Sequence, residues 1–142
     1  MALIRNNKKI VNALNPVTQF SDMLNNFNTF FNKNDLALYT NEEAVKNSIR
    51  NLLLTNRGER FFNPDLGSDI RSLLFENMST VTSNNLKVLV TNTIENYEPR
   101  AELLDVSVVP DFENNAYAIT IVFNVINNSD PVFLELLLNR VR

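Results

Sequence analysis

Residues 101–139 read AELLDVSVVPDFENNAYAITIVFNVINNSDPVFLELLLN, and their period of two decides the fold class. Leu104, Val106 and Val108 alternate with Asp105 and Ser107, while Tyr117, Ile119, Ile121, Phe123 and Val125 alternate with smaller or more polar neighbours. That is the pattern of strands with one buried face. Glu113-Asn114-Asn115 supplies a hairpin turn between them. Asn127-Asn128-Ser129-Asp130-Pro131 makes a second turn, after which Val132, Leu134, Leu136 and Leu138 line one face of a third strand. Strands are predicted over 103–109, 116–126 and 132–139, although the last, a short apolar run, is also compatible with a helix.

Upstream the period changes to that of helices. Thr40-Asn41-Glu42-Glu43 spells a capping box, and Val45, Ile49, Leu52 and Leu53 form the buried stripe of the helix it opens. Gly58 is suited to stop it. A short helix follows Gly67, with Ser68 and Asp69 at its start and Ile70, Leu73 and Leu74 on its buried side. A longer one runs from about Thr82 to Tyr97 with Leu86, Leu89, Val90 and Ile94 on one face, and Pro99 ends it. Helices first and an antiparallel meander last predict an α+β fold, with N-terminal helices on one face of a small C-terminal sheet. Such a meander has an open edge, whose backbone groups await protection or a strand from another chain.

Residues 1–35 form a separate segment in this reading. Phe20, Met23, Leu24, Phe27, Phe30 and Phe31 fall at helical spacing after Asn15-Pro16, a plausible helix start. An amphipathic helix with so aromatic a face either folds back on the domain or docks on a partner. The remainder, 36–142, is expected to be one domain.

Composition removes much familiar chemistry. The 142-residue chain has no cysteine, histidine or tryptophan, so it has no thiol nucleophile, no imidazole base and no zinc site of the usual sulfur or nitrogen kind. Its two glycines cannot spell a phosphate-cradling or dinucleotide-binding loop. No cofactor and no metal is expected. A net charge of -3 gives no field for nucleic acid, and no apolar run approaches the roughly 18 residues a membrane span needs. Neither nucleic acid nor membrane is an expected partner.

Two motifs remain. Residues 52–67, LLLTNRGERFFNPDLG, concentrate both glycines and several charges after a helix. They read as a structured turn in which Arg57, Glu59 and Arg60 form a local ion network. A glycosidase needs two carboxylates, one of raised pKa, and arginines beside Glu59 would act in the opposite direction. Tyr97-Glu98-Pro99-Arg100 lies at the helix-to-strand junction. There Glu98 and Arg100 can share a face, either as part of a proline-locked corner or as a fork at a subunit contact. No catalytic residue is assigned.

Thr55-x-x-Gly58-Glu59-Arg60-x-Phe62-x-Pro64-x-x-Gly67, then Leu74-Phe75-Glu76-Asn77-Met78 and Glu98-Pro99-Arg100, together resemble the small baseplate wedge proteins, or sheath initiators, of T-even-like contractile-tailed phages. This gene-25-like family has relatives in R-type pyocins and type VI secretion baseplates. The resemblance spans about residues 37–142 and implies a structural subunit of the virion tail baseplate, assembled in the host cytoplasm. It implies six copies around the tail tube, other wedge proteins of the core bundle as partners through Glu98, Pro99 and Arg100, and a sheet that shares strands with tail sheath subunits. Leu134, Leu136 and Leu138 would lie at that shared edge. Some members have carried a tail-lysozyme label, so a baseplate-associated peptidoglycan hydrolase is the alternative.

Overall fold

The computed structural model describes residues 19–25, 37–128 and 130–140. The chain divides into two compact units, Met1–Ala44 and Val45–Arg142. In the first, β1 (Ser21–Met23) pairs antiparallel with β2 (Leu38–Thr40). Asn41 organises this ribbon: its Oδ1 accepts the Gln19 and Phe20 N–H groups at 2.8 and 3.4 Å, and its own N–H donates to the Phe20 carbonyl at 2.8 Å. Its φ of 49° is one that asparagine tolerates better than most side chains. The helical spacing of Phe20, Met23 and Leu24 is therefore misleading where it can be checked. Residues 21–23 are a strand because a partner strand takes up their backbone groups. Phe27, Phe30 and Phe31 lie outside the described residues.

Next come α1 (Asn41–Leu54), α2 (Ile70–Leu73) and α3 (Thr80–Tyr97). Glu42 and Glu43 stand in the first turn of α1, where the helix dipole favours them, and Val45, Ile49, Leu52 and Leu53 are buried as the stripe predicts. At α2, Asp69 makes no side-chain cap, and Ser68 instead donates to the Leu53 carbonyl at 2.6 Å. α3 begins two residues earlier than the sequence suggests, because the Ser79 hydroxyl accepts the Thr82 N–H at 3.1 Å. Leu86, Val90 and Ile94 are its fully buried stripe.

The sheet has the order β3-β4-β5, formed by β3 (Ala101–Asp111), β4 (Ala116–Val125) and β5 (Pro131–Asn139), all antiparallel. Residues 132–139 are thus strand. The central strand supplies the core: Tyr117, Ile119, Ile121, Phe123 and Val125 are each at most 4% exposed, and burying each large apolar side chain contributes about 1.5–3 kcal/mol. α3 packs against β3 and α2 against α3. The hairpin turn is held by Asp111, whose Oδ1 accepts the Glu113 and Asn114 N–H groups at 3.1 Å, with Asn115 at φ 53°.

One strand departs from simple alternation. The register slips between Leu103 and Asp105, so Leu104 is the extra residue of a bulge and is 53% exposed rather than in line with buried Val106. Leu103 takes the half-buried place instead.

Candidate functional site

The motif at 55–67 is a loop that closes on itself. Gly58 donates to the Pro64 carbonyl at 2.8 Å, the Asn56 N–H to Glu59 Oε2 at 2.8 Å, and the Glu59 N–H to the Asn56 carbonyl at 3.2 Å. Its two ends meet where Ser68 N–H reaches the Thr55 carbonyl at 2.9 Å. Gly67 lies at that crossing with φ 128°, and a Cβ there would stand 2.6 Å from the Thr55 oxygen, so only glycine fits. Thr55 Oγ1 donates back to the Asn51 carbonyl at 2.7 Å, and Tyr97 Oη to the Asp65 carbonyl at 2.7 Å. Arg57 pairs with Asp69 at 3.5 Å and Glu59 with the Asn56 backbone, so the expected Arg57–Glu59–Arg60 network is not what shapes the loop. Phe62 and its neighbour Phe61 are fully exposed at its tip.

The second motif is a fork. α3 ends with the Glu98 N–H still donating to the Ile94 carbonyl at 2.9 Å, and the turn through Pro99 and Arg100 delivers the chain into β3. Across that turn Arg100 Nε donates to Glu98 Oε1 at 2.6 Å and Nη2 to Oε2 at 2.8 Å. Ser48, from α1, donates to Oε2 at 2.5 Å. The Glu98 side chain is 3% exposed and that of Arg100 31%, while Pro99 is exposed. Burial alone would raise the Glu98 carboxyl, but the bonds from Arg100 and Ser48 and the Arg100 charge outweigh it and hold the group below the usual carboxylate range. An acid that must donate a proton near neutral pH needs the reverse. What the geometry provides is a guanidinium fixed by a buried carboxylate at an exposed corner. Sequence spacing brings Glu98 and Arg100 together; Ser48, fifty positions away, carried no local signal.

Leu134 and Leu138 face inward at 3% and 8% exposure, and Leu136, on the same side, is half-buried. What β5 leaves open is its backbone, for no strand pairs with its far side among the described residues. Those residues hold no group of three or more acidic, histidine or cysteine side chains suited to a metal, and no helix long and apolar enough to cross a membrane.

The fold is shared with a chain of the sixfold-symmetrised anti-feeding prophage baseplate (22% identity, TM-score 0.60, covering 87% of each chain) and with one of the type VI secretion system baseplate complex (18%, 0.57, 66% of this chain and 88% of that one). A crystal structure from Geobacter sulfurreducens, named as a candidate tail lysozyme, matches at 30% identity and a TM-score of 0.67 over 71% of this chain and 92% of that one. Residues 40–130 match the model of the family described as baseplate wedge protein gp25, and the chain belongs to that family. Baseplate wedge protein gp25 of Enterobacteria phage T4 is 35% identical over 89 residues, 63% of this chain and 67% of that protein.

Proposed function

We propose that this baseplate wedge protein is a structural subunit that joins the wedge through its Glu98-Pro99-Arg100 corner and offers an unfinished sheet to sheath subunits. The observation that carries the reading is the sheet order, which leaves β3 and β5 each paired on one side only among the described residues. An added strand would gain main-chain hydrogen bonds for affinity and side-chain alternation for specificity. A ring of such edges, six copies around the tail tube, would raise the local concentration of the first sheath subunits and reduce their nucleation cost. At the corner, Arg100 would meet a carboxylate or backbone carbonyls of a neighbouring wedge protein, with Glu98 holding its plane. The hydrolase alternative is weaker, because Glu98 is the buried carboxylate of the motif region and its environment keeps it ionised.

The Arg140 N–H donates to the Asn115 carbonyl, and by strand alternation the odd-numbered N–H groups of β5 face away from β4. The test is assembly with Leu137→Pro, which removes one of these edge N–H groups without altering the corner. Wedges should still form and sheath should fail to polymerise on them. Normal sheath growth on Leu137→Pro baseplates would sink the proposal. Peptidoglycan cleavage by the purified chain, abolished by Glu98→Gln, would favour the hydrolase instead.

A further inference from the structure

The two outer strands are not equivalent, and the difference says which one takes a partner. β3 carries the devices that protect a sheet edge. The Leu103–Asp105 bulge breaks its register, Pro110 removes an N–H, and Asp105 is tied to Lys87 at 3.4 Å. β5 carries almost none. Its nine pairs with β4 run from Asn139 to Pro131 without a slip, its one proline is its first residue, and Glu135 is its single charge.

The core is also unfinished beside β5. Leu136 points inward yet is only half-buried, whereas Val132, Leu134 and Leu138 on the same face are buried. Between Leu138 and the ends of α1 and α2 lies a mainly apolar groove of about 250 Å³, walled by Leu53, Leu54, Ile70 and Leu74, with Asn56 and Arg71 at its polar side. On the opposite face Phe133 and Leu137 are 60% and 61% exposed, level with Val122 and Ala118 of β4. A strand alongside β5 would therefore find apolar neighbours on both faces.

We infer that β5 is the accepting edge, and that its occupant is an extended segment of a different protein, apolar at most positions, with a lysine or arginine level with Glu135. Charge disfavours the simplest rival. Glu135 is the midpoint of β5, so a second copy pairing antiparallel in full overlap would set Glu135 against Glu135, and like charges directly opposite are destabilising. A cation at that position turns the same side chain into a selector. The inference rests on the strand-accepting reading and adds the edge, the groove and the charge.

Val109, Ala118 and Leu137 share one rung across the sheet, and the chain has no cysteine. Val109→Cys and Leu137→Cys, each labelled with benzophenone and irradiated in assembled baseplate–sheath particles, thus probe the two edges at matched exposed positions while Glu135 is kept. Leu137→Cys should crosslink to an extended, largely apolar segment of another particle protein, mapped by mass spectrometry, and Val109→Cys should not. Capture of such a segment at Val109→Cys alone overturns the edge assignment while leaving strand acceptance standing. Capture of neither kind overturns both. Crosslinking of Leu137→Cys to a second copy, or to residues 1–35 of the same chain, overturns the occupant. Independently, Glu135→Val should strengthen self-association of the isolated chain about fivefold in sedimentation, as removal of a like-charge pair requires, and Ser107→Val should not. Equal effects of the two would overturn the guarding role of Glu135.

Discussion

The Ser48 hydroxyl donates to Glu98 Oε2 at 2.5 Å and thereby fastens α1 to the corner between α3 and β3. The carboxylate is buried, so the oxygen that loses this donor has no water to replace it. Ser48→Ala should cost about 1–3 kcal/mol, the range for a hydrogen bond to a charged group. Urea unfolding at pH 7 measures it, as a lower midpoint with an unchanged slope.

The same carboxylate makes stability fall in acid. Its folded-state pKa lies below the ordinary 4.5, so as pH drops through that value the unfolded chain binds the proton first. Its contribution is complete above the unfolded pKa and is lost as pH falls through the folded one. Glu98→Gln should be less stable than the parent at pH 7 by about 1–3 kcal/mol, reduced from the fully buried case because Arg100 is partly solvated. The gap should narrow steadily below about pH 4.5. Chemical denaturation at pH 7, 5, 4 and 3 follows it, and a gap constant with pH would assign the loss to packing.

The two glycines should respond differently to the same methyl group. Both have positive φ, but a Cβ at Gly58 meets nothing within 4 Å, whereas one at Gly67 meets the Thr55 oxygen at 2.6 Å and the Asn56 carbonyl carbon at 3.0 Å, both backbone. Gly58→Ala should cost about 1 kcal/mol, the conformational penalty alone. Gly67→Ala should cost at least about 2 kcal/mol more, because the Thr55–Ser68 crossing must open. Thermal unfolding of the two variants side by side gives the difference.

These energetics also show which parts of the molecule the sequence could reveal. β4 was readable because five inward side chains alternate without interruption, and α1 because its stripe needs only local spacing. Leu104 misled because a bulge shifts parity by one residue, and the apolar residue it displaces outward looks the same in sequence as one directed inward. Met23 and Leu24 misled because a partner strand fifteen residues on decides their backbone. At the site, Glu98 and Arg100 are two apart, so their fork is close to a local property. Ser48 reaches it only through the packing of α1, and no pattern around a serine announces that. The exposure of Phe61 and Phe62 depends on how tightly Gly58, Glu59 and Gly67 close the loop beneath them.

The Tyr117 hydroxyl is a core polar atom that the described residues leave unanswered. Tyr117 is fully buried on β4, and its hydroxyl finds no hydrogen-bond partner among the described residues. Such a group loses its bonds to water on folding and regains none, a cost of about 1–3 kcal/mol. The ring itself is well used, facing the core level with Leu138 on β5. Tyr117→Phe keeps the ring and removes the unsatisfied hydroxyl. It should leave stability unchanged or raise it by up to about 1 kcal/mol, the void left by one oxygen offsetting part of the gain. Tyr117→Leu keeps an apolar side chain but loses ring volume, and should be destabilising by about 2 kcal/mol. Guanidinium unfolding of both variants checks the sign, and a Tyr117→Phe protein less stable by more than about 1 kcal/mol would mean that the hydroxyl has a buried water as its partner.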